Sequence, residues 1–397
     1  MKKYSTGNYF TIMSIINRYL LREILLPFFY ALAVVVFILL LGQLFKIVNM
    51  VVSDGVRVWD IMRMVLSMIP QMLTMALPIS FFFAVLVGVG RLVGDCEVIA
   101  LKAAGISPYR MALPVLQLAL VCTLLTLLMS AWLAPLGIKQ LRRATFDILR
   151  EKVTLALRPQ IVNQTFPGMA IYLDKIDRKT GRVTSVFIED RRHRDHQQTI
   201  TALRGKIVSD MQTSTLSLEL LDGTIHEYDP TKESYRVTDF SKYHINFEIS
   251  ALMGEKLHVG FKSKARSNSE LRQKIAREKR LGENPSRSIE TLYERFTKPL
   301  ACFAFALLGL ALVLVPVRSG ARSQGFVFGL GFLLSYHLVG MVAEYLVEIK
   351  PSMAIFFMAL PPLIFIVLGA WLLTMKQNET ELSFAFWQRV VALVKKS

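Results

Sequence analysis

Between two long apolar runs lies one compact polar stretch, Arg91 to Ser107 (RLVGDCEVIALKAAGIS), in which Arg91, Asp95, Glu97 and Lys102 stand close together. Side chains of these types make ion pairs and charge-assisted hydrogen bonds, which is the chemistry of recognition by a partner. Gly94 before and Gly105 after act as stop and start signals, so the spacing predicts a short helix over residues 94–105. Val98, Leu101, Ala104 and Gly105 fall on one apolar side of it, and Glu97 and Lys102 lie off that side. Two readings stand. Asp95, Glu97, Val98, Leu101 and Lys102 form a docking element for a soluble partner, or the helix is a surface loop that merely joins two spans.

What the chain lacks narrows its chemistry. The G-x-x-x-x-G-K-[ST] phosphate loop is absent and Gly88, Gly90 and Gly94 are too loosely spaced to cradle a phosphate, so ATP is not hydrolysed here by that route. H-E-x-x-H, G-x-S-x-G and C-x-x-C are absent as well. His193 and His196 sit among arginines; a metal needs three or four ligands, and a polar loop is the simpler reading. Cys96, Cys122 and Cys302 offer no pair that could staple an external domain. The sequence therefore predicts neither a cofactor nor a metal, and no enzyme.

The elements that must position the polar stretch are membrane spans. Of 397 residues 53% are hydrophobic and 19% charged, and the mean hydropathy is +0.42, outside the range of soluble domains. Uncharged runs predict spans over residues 24–48, 61–90, 108–138, 295–317, 325–347 and 352–375, each long enough for the roughly 20 helical residues that cross a bilayer. With the N-terminus inside, the short cytoplasmic segments hold 13 Lys or Arg and the opposite ones four (Lys46, Arg57, Arg63, Lys350). Both termini are thus expected inside, with the tail 377–397 cytoplasmic and the insert after span three outside. Much of the formal charge of +17 is explained by this asymmetry without nucleic acid.

The insert, predicted as a domain over residues 139–290, changes character. Leu216, Leu218 and Leu220 alternate with polar residues, Asp222-Gly223 offers a hairpin turn, and Tyr243, Ile245, Phe247 and Ile249 alternate in the same way. With strand candidates over 170–173, 182–189 and 199–208, an antiparallel sandwich or roll is expected. Residues 138–152 continue span three as a helix, and Ser267-Asn268-Ser269-Glu270 opens a capping box. The basic segment around it, 256–287, faces either anionic headgroups or plain solvent. Within the spans His337 and Glu344 lie seven apart, close to one face.

Three spans, a long β insert and three more spans, with GDCEVIALKAAGIS between spans two and three, resemble the LptF/LptG permeases of the lipopolysaccharide exporter. The likeness rests on Arg18-Tyr19-Leu20 with Arg22-Glu23, on Glu97 with Lys102-Ala103-Ala104-Gly105-Ile106-Ser107, and on Arg295-Phe296 with Pro299-Leu300. The RYLLRE opening leans toward the F type. The resemblance implies a six-helix inner-membrane permease with a periplasmic β-jellyroll between helices three and four. It further implies a homologous second permease, a cytoplasmic ATPase dimer that binds the ATP, a single-span jellyroll protein and a periplasmic bridge. Lipopolysaccharide phosphates would then meet Lys46, Arg57 and Arg63 at the outer rim, and acyl chains the strand carrying Ile245 and Phe247. A permease of another lipid or lipoprotein exporter, and a membrane-anchored β domain that binds a partner without transport, are the rival readings.

Overall fold

A computed structural model describes residues 6–54, 58–163, 168–177, 180–192, 197–210, 215–229, 234–247, 264–314 and 322–377, at some element ends by the backbone alone. Arg57, His193, His196 and the tail beyond 377 lie outside the described residues. The helices before the insert are α1 (Thr6–Asp54), α2 (Val58–Gly94), α3 (Glu97–Ala103), α4 (Pro108–Leu128) and α5 (Ala134–Ala156). Those after it are α6 (Asn268–Arg280), α7 (Ser286–Thr297), α8 (Ala301–Val313), α9 (Arg322–Ile349) and α10 (Ala354–Gln377). Six stretches among them are long and apolar enough to cross a membrane. Each run predicted as a span overlaps one of them, and α5 continues the third span beyond its apolar part.

The chain divides into two compact units, residues 1–45, 68–136 and 266–397 forming one and 46–67 with 137–265 the other. The first holds the apolar helices. Leu20, Ile24 and Phe28 of α1 pack with Phe81, Val85 and Val89 of α2, Met111 and Val115 of α4, and Ala306 and Leu310 of α8. A second cluster joins Phe82, Phe305, Leu333 and Phe365, with ring centroids 5.0 Å apart for Phe82 and Phe305 and 5.4 Å for Tyr336 and Phe365. Helices α6 and α7 belong with this unit, not with the insert. Ile275 and Ile289 pack on Val347, Ala354 and Met358, which moves the boundary back from the expected residue 290.

A π-helical turn, Met129–Leu133, interrupts the third span between α4 and α5. Such a turn leaves a carbonyl without its ordinary helical partner, and the Asn268 amide donates to Ala131 O at 3.2 Å. The Asn268 carbonyl oxygen accepts from Arg295 Nη1 at 2.6 Å, and Arg295 Nη2 donates to Arg266 O at 2.8 Å. Only 5% of Arg295 is exposed. The capping box read at Ser267 and Glu270 is present in both halves and fixes where α6 begins.

In the second unit β1 (Met169–Asp177), β2 (Arg182–Asp190), β3 (Gln197–Asp210), β4 (Thr215–Asp229) and β5 (Ser234–Phe247) form one antiparallel meander in the order β1-β2-β3-β4-β5. Pairing fails along a single row, Asp174, Ser185, Leu203, Asp222 and Ser241, while the register on either side is unshifted. Ser185 and Asp222 there have φ of 50° and 55°. The inward face switches parity across this row on every strand. Leu173 gives way to Ile176, Val183 to Val186, Ala202 to Ile207, Leu220 to Ile225 and Phe240 to Tyr243, all in one core. The sheet is therefore creased, and its two halves enclose a common interior. The β insert and its roll character agree with the sequence reading, but the Asp222-Gly223 hairpin does not. That dipeptide lies inside β4 at the crease, where the left-handed Asp222 bends the strand without reversing it.

Candidate docking site between spans two and three

The connector is built by its glycine and its caps. Ile106 N–H donates to Leu101 O at 3.0 Å and Gly105 N–H to Lys102 O at 2.9 Å, with Gly105 at φ 82°. This pair of bonds is a Schellman ending, which wants glycine at its left-handed position and an apolar contact between the residues now held by Leu101 and Ile106. Ser107 then caps α4, accepting from Arg110 N–H, with Pro108 at the first helical position. Sequence thus stops one helix and starts the next within five residues, Ala104 to Pro108.

Side chains sort into two sets. Val98 is 5% exposed and belongs to the core with Leu20, Leu92 and Met111, and Leu101 is half-buried against the same cluster. This corrects the expectation that Val98 and Leu101 present the helix to a partner: the apolar side at that spacing is satisfied by the chain's own spans. Outward on α3 are Ile99, 65% exposed, and Lys102, with Asp95 exposed just before the helix.

Glu97 is half-buried, and both its oxygens accept from the Tyr19 hydroxyl, Oε2 at 2.8 Å and Oε1 at 3.1 Å. Arg91 reaches Glu23 at 3.0 Å and, more weakly, Asp95 at 3.9 Å. Tyr19 and Glu23 were missed as site residues. Their i, i+4 spacing on α1 puts them on one face, which was the available signal. In chemical terms the site is an acidic, aromatic-capped ledge suited to meeting a cation, with one apolar side chain beside it.

The other expected site residues are scattered. Lys46 lies on α1 and Phe247 ends β5, each described by its backbone alone, Arg63 is exposed on α2, and Arg57 lies outside the described residues. Ile245 is 3% exposed among Leu218 and Leu220, so it is core and lines no open groove in this structure. Among the described residues no cluster of His, Cys, Asp or Glu could hold a metal.

The family model for the lipopolysaccharide export system permease LptF/LptG matches residues 18–375. The chain belongs to the LptF/LptG family. Within it, the chain is similar to the lipopolysaccharide export system permease protein LptG of Haemophilus influenzae, 22% identical over 91% of this chain and 99% of that protein. It is also similar to the Escherichia coli LptG, 21% identical over 78% of this chain and 83% of that one. An uncharacterised protein of Rickettsia prowazekii is 25% identical over 55% of this chain, and the match spans 59% of that protein. The two relatives that carry a permease name are of the G type, so they lend the F-type leaning no support. An LptF/LptG permease is a multi-pass membrane protein, and the connector and its ledge belong to that architecture.

Proposed function

We propose that this chain is a permease subunit of an ATP-driven exporter that lifts lipopolysaccharide from the bacterial inner membrane. The observation that carries the reading is the family match over nearly all the spans, together with a compact ledge on the only seven-residue helix between spans two and three. Without a phosphate loop in the sequence, the energy must come from a separate ATPase dimer, and the ledge around Glu97, Ile99 and Lys102 is where it would press. A homologous second permease would cover the outer apolar faces of α1 and α9, on which Phe29, Phe37, Leu334 and Met341 are exposed. A single-span jellyroll protein and a periplasmic bridge would receive the lipid from the β domain. An acyl chain reaching Ile245 would require the creased roll to open.

Orientation has a direct test. With both termini inside, a cysteine replacing Asp222 should react with a membrane-impermeant thiol reagent in intact spheroplasts, and the exposed native Cys96 should react only after lysis. The opposite pattern would overturn the topology.

The phosphate rim has another. Lys46→Glu places repulsion beside a multiply charged headgroup and should weaken ligand crosslinking by about tenfold, on the order of the 1.4 kcal/mol of one charge contact. Arg57→Glu should do less. Normal crosslinking and growth in both variants would refute the rim.

A further inference from the structure

Helix α1 is held to its unit by little. Only 11% of its most apolar window is buried, against 72% for the span of α2. Among its described side chains the buried ones, Leu20, Ile24 and Phe28, form a single strip at spacing four, and they lie toward the connector end. There Gly88 of α2 approaches so closely that a Cβ on it would stand 2.6 Å from Glu23 O and 3.2 Å from Ile24 Cα. Beside this strip, on the same short piece of α1, stand the Tyr19 hydroxyl on Glu97 and the Glu23 carboxylate on Arg91. Arg91 closes α2 and also faces Asp95. Two of the polar contacts of α1 thus go to opposite ends of the turn that launches α3.

From this we infer that Tyr19 and Glu23 form a latch that makes the first span move with the connector. The inference rests on the proposed function for what the motion serves. A push on α3 reaches spans two and three through the backbone, and α1, which has no peptide link to the connector, follows it through this latch. Tyr19 is a positioning residue: its hydroxyl orients the Glu97 carboxylate and transmits the displacement of α3 to α1. Arg91 does the same at the end of α2 through Glu23. Tyr19 is 38% exposed, so removal of the hydroxyl leaves packing almost untouched and isolates the hydrogen bond.

The test uses the full chain assembled with its partner permease and ATPase in lipid nanodiscs. Tyr19→Phe should lower lipopolysaccharide moved per ATP hydrolysed by about tenfold, the effect of one lost charge-assisted hydrogen bond. Glu97→Gln combined with Tyr19→Phe should be no worse than the more severe single variant, because the two act through one contact. Spin labels on cysteines replacing Arg22 and Ala103, with Cys96→Ser, should give one narrow distance in the otherwise native chain and a broad one with Tyr19→Phe. A narrow distance in Tyr19→Phe, undiminished transport per ATP, or independent losses in the double variant would each overturn the latch. A native complex that binds no ATPase would refute the proposed function instead, and the distance measurement, which needs neither nucleotide nor substrate, would still decide the latch.

Discussion

Replacing Glu97 with lysine is expected to abolish export and to strip the ATPase from the purified complex, while the chain still inserts and pairs with its partner permease. Two losses coincide. The carboxylate that accepts from Tyr19 at 2.8 Å and 3.1 Å disappears, and the ammonium that replaces it repels any cation on the ATPase surface. An anchor of this kind is typically worth about 2 kcal/mol or more, and juxtaposed like charges cost several more. Glu97→Ala should therefore be milder than Glu97→Lys, and a charge-reversed ATPase should partly restore the lysine variant. The apolar companion to test is Ile99→Asp, since Ile99 is the exposed apolar residue of α3. Leu101→Asp would report on the permease core against which Leu101 packs. Normal transport and ATPase binding by Glu97→Lys, with Ile99→Asp equally silent, would remove the docking assignment.

The largest expected effect on stability lies in the other unit. Gly223 sits beside the crease, where a Cβ would stand 2.1 Å from Thr201 O, 2.6 Å from Phe240 Cζ and 3.0 Å from Ala202 Cα. Two of these neighbours are backbone of the adjoining strand and cannot rotate away. Gly223→Val must therefore push β3 from β4 and open the roll, at a cost of about 3–5 kcal/mol, a large part of what holds a domain of this size. The β domain should become sensitive to protease in folded, membrane-inserted protein, while the spans remain intact. Leu203→Val is the control: Leu203 lies on the crease row but is 68% exposed, so its effect should stay within about 0.5 kcal/mol. Equal protease resistance in both variants would show that the crease tolerates separation.

The spans were legible because a run of apolar residues long enough to cross a bilayer has few other uses, and Ser267 and Glu270 because a capping box is local. The strands were legible wherever period two held. Asp222-Gly223 misled because the same dipeptide serves a hairpin and a left-handed kink, and only the partner strand decides between them. It becomes a kink here since Ser185 and Leu203 break the ladder on the same row. At the connector, the short helix and its apolar side were readable, but not which body that side would meet. Val98 looked equally fit for a partner groove and for the chain's own core, and the adjoining spans took it. Tyr19 was 78 residues away from Glu97, beyond the reach of any local pattern, and it was seen only as part of a family signature.

The docking role of α3 is tested most directly by a photo-crosslinking amino acid at Ile99, introduced into the otherwise native permease in intact cells. A strong adduct with the ATPase that disappears in the Glu97→Lys background is the expected result. Crosslinking of Ile99 to lipid or to nothing, in cells where export and ATPase copurification are normal, would contradict it.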